Sequence, residues 1–284
     1  MNVAALKAYR IAEVVQQYSE RDCILYALGI GLGNDPADGR HLQFLFEQNL
    51  QVLPTYAAVM GYPGFWQKDP EAGLDWRKIL HGGIDIRWHA PLPPAGKVVG
   101  KSRVSRVVDK GLARGALVTT ERSITDFDTG VLLATVDSTT LCRGDGGFDG
   151  GDVDVLSFAH QRDGVPHAFF DFKTSPRAAL IYRLSGDFNP LHADPSAAKL
   201  AGFDRPILHG LCSFGVAGAA ILQTCCSWEG HRLKRLALRF SAPVYPGETI
   251  RTEMWISGAT IAFRSLVLER GVEVLANGIA ELIQ

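Results

Sequence analysis

Ile84–Gly96 reads IDIRWHAPLPPAG, and Leu236–Gly247 reads LALRFSAPVYPG. Arg87 aligns with Arg239, and Ala90-Pro91 with Ala242-Pro243, at an offset of 152 (239 minus 87); Ala95 is the one extra residue in the first copy. In each copy an apolar strand runs into a proline turn, then a glycine, then another strand. A repeat at about half the chain length suits two similar units packed side by side. It does not suit a solenoid, whose period is far shorter.

The stretches around the copies fit this duplication. VVGKSRVSRVVD (98–109), ALVTTERSITDFD (116–128) and VLLATVDSTTLC (131–142) are rich in β-branched residues and separated by Gly or Asp turns, the pattern of successive antiparallel strands. The second half has matching strands at Leu233–Phe240, Thr249–Ser257, Ile261–Glu269 and Val272–Leu282. Helical spacing of apolar residues predicts helices at Tyr9–Val15 and Leu42–Val52, and a small-residue helix at Leu211–Gln223. Between the halves lies RGDGGFDGGDVD, Arg143–Asp154, whose glycine steps begin a linker. The expected units are therefore residues 1–142, a linker over 143–157, and residues 158–284.

Composition sets the class. Of 284 residues, 46% are hydrophobic and 21% charged, which excludes a disordered chain, a collagen and a disulfide-stapled miniprotein. Lys plus Arg (29) against Asp plus Glu (30) leaves a charge of −1, so no nucleic-acid partner is expected. The first twenty residues mix charges into every turn, unlike a signal peptide, and no apolar run approaches a membrane span. Five cysteines without CxxC spacing fit a reducing compartment. The C-terminus, Glu-Leu-Ile-Gln, is not a peroxisomal Ser-Lys-Leu address, so the cytoplasm is the expected location.

Several motifs carry no chemistry. Gly96-Lys-Val-Val-Gly-Lys-Ser102 has three residues between its glycines where a phosphate loop needs four, and a strand follows it. Gly29-Ile-Gly-Leu-Gly33 follows a helix, not a strand, and reads as a helix-ending turn. His41, His89, His160, His167 and His231 show no ligand spacing, and no metal is expected.

The segment that carries chemistry is YRLSGDFNPLHADPSAAKLAGFDRPILHG, Tyr182–Gly210. It sets Asp187, Asn189 and His192 within six residues, on a backbone that Gly186 and Pro190 force into tight turns. A carboxylate and an imidazole so placed can share one reacting water, with Asn189 holding the loop or orienting that water. The alternative is an ordinary Asp-x-Asn-Pro turn. His209-Gly210 then opens the small-residue helix. Its free N–H groups, reachable past a glycine, can serve as an oxyanion hole for a carbonyl becoming an enolate.

Tyr182-Arg-Leu-Ser-Gly-Asp-Phe-Asn-Pro-Leu-His192 resembles the signature of the type 2, (R)-specific enoyl-CoA hydratases, the MaoC-like group of the hotdog superfamily. Arg21–Gly29, Leu80-His81-Gly82, Asp109-Lys110-Gly111 and Gly146-Gly147-Phe148 resemble its two-domain form. The resemblance implies an α+β double hotdog, two repeats of an antiparallel sheet wrapped around a central helix. Leu42–Val52 and Leu211–Gln223 would be the two helices. The first half would have lost its catalytic loop and would accommodate the acyl chain.

By the same resemblance Asp187 and His192 would activate water, Asn189 would support them, and Gly210 would supply the oxyanion N–H. Phe188, Pro190 and Leu191 of the signature, with His81, Gly82, Lys110 and Phe240, would touch the acyl-CoA. The implied reaction is reversible hydration of trans-2-enoyl-CoA to (R)-3-hydroxyacyl-CoA. It needs no cofactor, since coenzyme A is part of the substrate. A hotdog thioesterase and a silent acyl-CoA-binding module are the alternatives. A two-domain chain of this kind can pair again as a homodimer.

Overall fold

The computed structural model describes residues 1–154 and 164–283. Ten strands form one sheet: β1 Val14–Tyr18, β2 Ile79–Trp88, β3 Gly96–Asp109, β4 Ala116–Asp126, β5 Leu132–Cys142, β6 Ala168–Lys173, β7 Leu233–Phe240, β8 Thr249–Ser257, β9 Thr260–Val267 and β10 Val272–Leu282. Their order is β1-β3-β4-β5-β2-β7-β10-β9-β8-β6, antiparallel throughout, so the halves join through β2 and β7. Asp85 pairs with Ala237 at this seam. The sequence offset relates those same two residues (237 minus 85 is 152). A local two-fold axis therefore passes between them, and each half covers the other's exposed edge.

The helices are α1 Val3–Ala8, α2 Glu20–Ile30, α3 Ala178–Tyr182, α4 Pro195–Leu200 and α5 Gly210–Cys226; none among the described residues is long and apolar enough to cross a membrane. α5 is buried without a break from Cys212 to Leu222. Its glycines are required by close approach. A Cβ on Gly218 would lie 2.4 Å from Thr55 Cγ2, and one on Gly215 would lie 2.6 Å from Ile30 Cγ2. The second half's helix thus presses directly on the first half. The Asp22 carboxylate accepts from the Ser19 N–H and Oγ–H to start α2, and Gly31 ends it in the left-handed region (φ 106°). The Gly29–Gly33 stretch is therefore a helix end.

Two helix expectations fail. Tyr9–Val15 is not helical: α1 ends at an extended Tyr9, and Val14 already belongs to β1, whose β-branched residues pair with β3. Leu42–Val52 is not a central helix. It holds the end of a 3-10 turn (Gly39–Phe44), then a left-handed Asn49, and a second 3-10 turn follows at Pro54–Ala58. Leu42 and Phe46 point to solvent while Phe44 and Leu50 enter the core, so the apolar residues divide between the two and form no single helical face. The helix that packs on α5 from this half is α2.

The glycine segment after Cys142 has no regular structure but is tied down. The Gly147 N–H donates to Asp109 Oδ1 (2.8 Å), and Asp152 exchanges two hydrogen bonds with the backbone of Val107 (2.7 Å each). Residues 155–157 of the expected linker, and His160, lie outside the described residues.

Candidate active site

The Asp187 loop is built by its own short side chains. Gly186 sits at φ 118°, open only to glycine at little cost. The Asp187 Oδ1 accepts the Asn189 N–H (3.1 Å), and Asn189 Oδ1 accepts the Leu191 N–H (3.1 Å), capping the 3-10 turn Pro190–His192. That turn delivers His192 inward, 8% exposed.

The free ends of the pair face each other. His192 Nδ1 lies 2.8 Å from the Ile207 carbonyl oxygen. A carbonyl only accepts, so Nδ1 carries the proton and Nε2 of the neutral ring is a bare lone pair. That Nε2 stands 4.0 Å from Asp187 Oδ2. This is too long for a direct hydrogen bond, and a water fits between two such acceptors. Burial lowers the His192 pKa, against the pull of the Ile207 carbonyl and Asp187, so the ring stays neutral at pH 7.

His209 completes the cluster. Its ring stacks on His192 with centroids 3.8 Å apart and planes 28° from parallel, and its Nε2–H donates to the Asp187 carbonyl oxygen (3.2 Å). Its Nδ1 is enclosed without a partner. Burial, then the neighbouring His192, pushes its pKa down to about 4. The donor atoms of Asp187, His192 and His209 lie within 4.8 Å of one another. Lone pairs of stacked rings lie in separate planes, however, and do not converge on one ion as tetrahedral ligands do.

His209 is also the N-cap of α5. The first intrahelical hydrogen bond is from the Cys212 N–H to the His209 carbonyl, so the N–H groups of Gly210 and Leu211 have no acceptor within the helix. A Cβ on Gly210 would lie 3.2 Å from the Phe240 ring, which in turn lies 4.7 Å from the His81 ring, centroid to centroid. His81 Nε2 is hydrogen-bonded to Ser138 Oγ (2.9 Å). The His81 surface is accessible, yet surrounding protein pushes its pKa down to about 4, with Asp187 opposing.

The structure therefore gathers Asp187, Asn189, His192, Gly210, Phe240 and His81. Gly82 lies in the β2 bulge beside His81, where a Cβ would come 3.3 Å from the Thr139 carbonyl. Phe188 is exposed beneath the Arg183 guanidinium (5.1 Å), and Pro190 and Leu191 form the turn's outer side. Lys110 stands apart: it lies just past the end of β3, three strands from His81 in sheet order, and its Nζ donates to Asp154 (2.6 Å). Sequence reasoning treats His209 only as a helix start and misses its stacking role. A histidine directly before an N-terminal glycine was the available signal.

Comparison with known proteins places the chain among hydratases and dehydratases of one family. Residues 16–144 match the MFE-2 hydratase 2 N-terminal domain, and residues 159–277 match the MaoC like domain. The chain is 37% identical to the peroxisomal enoyl-CoA hydratase 2 of Arabidopsis thaliana, over 97% of this chain and 94% of that one. It is 40% identical to the 3-hydroxyacyl-thioester dehydratase Y of Mycobacterium tuberculosis, over 84% and 82%. The crystal structure of a MaoC-like dehydratase from Phytophthora capsici superposes with a TM-score of 0.89 at 35% identity, covering 100% and 99% of the two chains. A Mycobacterium tuberculosis protein with a double hotdog fold superposes at 0.54 and 14% identity, over 96% of each.

Fold and relatives together define a double hotdog hydro-lyase. More particularly, the chain belongs to the MaoC-like dehydratase family, in its enoyl-CoA hydratase 2 branch.

Proposed function

We propose that the protein hydrates trans-2-enoyl-CoA to (R)-3-hydroxyacyl-CoA, reversibly. The observation that carries this reading is the 4.0 Å gap between Asp187 Oδ2 and His192 Nε2, opened beside the free N–H groups of α5. A water in that gap donates one proton to each acceptor and turns an oxygen lone pair outward. The thioester carbonyl lies at the Gly210 N–H, where hydrogen bonding and the helix N-terminus stabilise the negative charge that builds on it.

Water oxygen bonds to C3 while the carbon–carbon π pair moves to C2 and the carbonyl oxygen. One water proton passes to the Asp187–His192 pair, and a proton from the pair or from that water adds to C2 on the same face. Water is added without any net change of oxidation state, so the reaction calls for no redox cofactor. Nothing in it requires a covalent enzyme intermediate.

The test is the loss of enoyl-thioester absorbance from crotonyl-CoA, with the chirality of the product determined. Hydration with an (R) product supports the reading. Release of free thiol in its place supports a thioesterase, and binding without absorbance change supports a silent module.

A further inference from the structure

The inward face of the first half's sheet changes character along its strands. At one end it is aliphatic, with Val98, Ile124, Ala134, Val136, Ile84 and Ile86 all in the core. Between these residues and a second apolar cluster that includes Val104, Val107, Val118 and Cys142, it turns polar. Ser102 of β3 pairs with Arg122 of β4, and Thr120 of β4 pairs with Ser138 of β5, the partner of His81.

Arg122 is 5% exposed. Its Nη2 donates to the main-chain oxygens of Ala58 (2.7 Å) and Ala57 (3.3 Å), while its Nε and the enclosed Ser102 Oγ have no partner. Among the described residues no carboxylate forms an ion pair with it. Burial lowers its pKa to about 10, which leaves it cationic at pH 7. A buried cation without a counter-charge is costly, and a bidentate carboxylate is what a guanidinium fits best.

Its place relative to the chemistry follows from a run of contacts. Gly210 abuts Phe240, Phe240 meets His81, and His81 meets Ser138, whose strand neighbour Val136 pairs with Arg122. His81 and Tyr62, the latter with its ring 5.7 Å from the guanidinium, each feel the charges of both Asp187 and Arg122. A thioester whose carbonyl sits at Gly210 thus lies one run of contacts away from a positive charge that, among the described residues, is hydrogen-bonded to two carbonyls but paired with no carboxylate.

We propose that the substrate's acyl chain ends in a carboxylate, which Arg122 receives with Ser102 beside it. This rests on the acyl-CoA reading above. It departs from a first half that merely makes room for a long alkyl chain.

The experiment measures binding of saturated, unreactive acyl-CoA thioesters of matched length, ending in either a methyl or a carboxylate, to the full chain and to Arg122→Gln. Glutamine keeps a donor for the Ala58 carbonyl but carries no charge. The wild type should bind a carboxylate-ended chain about 10²-fold more tightly than its methyl-ended match at some length in the series. Arg122→Gln should erase that difference. Equal or weaker binding of every carboxylate-ended chain by the wild type overturns the proposal, whether or not the variant folds. So does a preference that survives in a folded Arg122→Gln. Crotonyl-CoA hydration by the wild type, followed in parallel, separates failure of this proposal from failure of the hydratase reading.

Discussion

The imidazole of His209 lies flat on that of His192, centroids 3.8 Å apart, with its Nε2–H bonded to the carbonyl of Asp187. One buried residue thus touches both Asp187 and His192. Two stacked imidazolium rings would repel at this distance, so the arrangement holds both rings neutral.

Stability should therefore fall on the acid side. Burial and His192 hold the folded-state pKa of His209 near 4, below the ordinary 6.5, so the native state binds fewer protons than the unfolded chain between those values. The stabilising contribution is full above pH 6.5 and is lost as pH falls from there toward 4. It amounts to a few kcal/mol at most. Urea unfolding across this window should show a shallower pH slope for His209→Gln than for wild type. An identical slope would contradict the assignment.

Asp187→Asn and His192→Ala should each lower kcat by about 10²–10⁴-fold with the fold retained. Across the 4.0 Å between them, the first substitution removes the carboxylate charge and the second the imidazole that would together hold the reacting water. Crotonyl-CoA turnover and circular dichroism on the same samples check this. A folded variant with near-native rates would remove that residue from the mechanism.

Gly210→Val should cost about 10²–10³-fold in kcat, the range for a lost oxyanion donor. The first added carbon already stands 3.2 Å from the Phe240 ring, and the branched methyls would fill the carbonyl's place. Gly210→Ala, with Phe240 free to give slightly, should lose less. A normal kcat with a lowered melting temperature in Gly210→Val would make Gly210 a packing glycine.

Asp85→Ala should weaken the seam without touching the chemistry. Asp85, 7% exposed, receives two hydrogen bonds from Arg235 across the β2–β7 junction (3.0 and 2.8 Å) and one from Arg87 (2.8 Å). Removing one partner of a buried pair costs about 3 kcal/mol. Denaturant unfolding should show that loss, while crotonyl-CoA kinetics of the folded variant stay unchanged. Wild-type stability in Asp85→Ala would show that the ion pairs do not hold the seam.

The duplication, the strands and the Asp187–His192 loop were legible in the sequence because each is local. Strands at Leu233–Phe240, Thr249–Ser257 and Val272–Leu282 carry their own β-branched pattern between turns, and Gly186, Asn189 and Pro190 shape their loop with side chains only a few residues away. Long-range packing decided the rest. Leu42–Val52 has helical spacing, but a 3-10 end and a left-handed Asn49 break it, with Phe44 and Leu50 reaching the core, and α2 takes the place against α5. Arg122 stands in a strand at the inward phase of Val118, Thr120 and Ile124, a charge on an apolar beat. Only the folded sheet shows that this charge lies without a counter-ion among the described residues, within electrostatic reach of His81 and Tyr62. Periodicity reports which way a side chain points, and tertiary contacts alone report what it meets there.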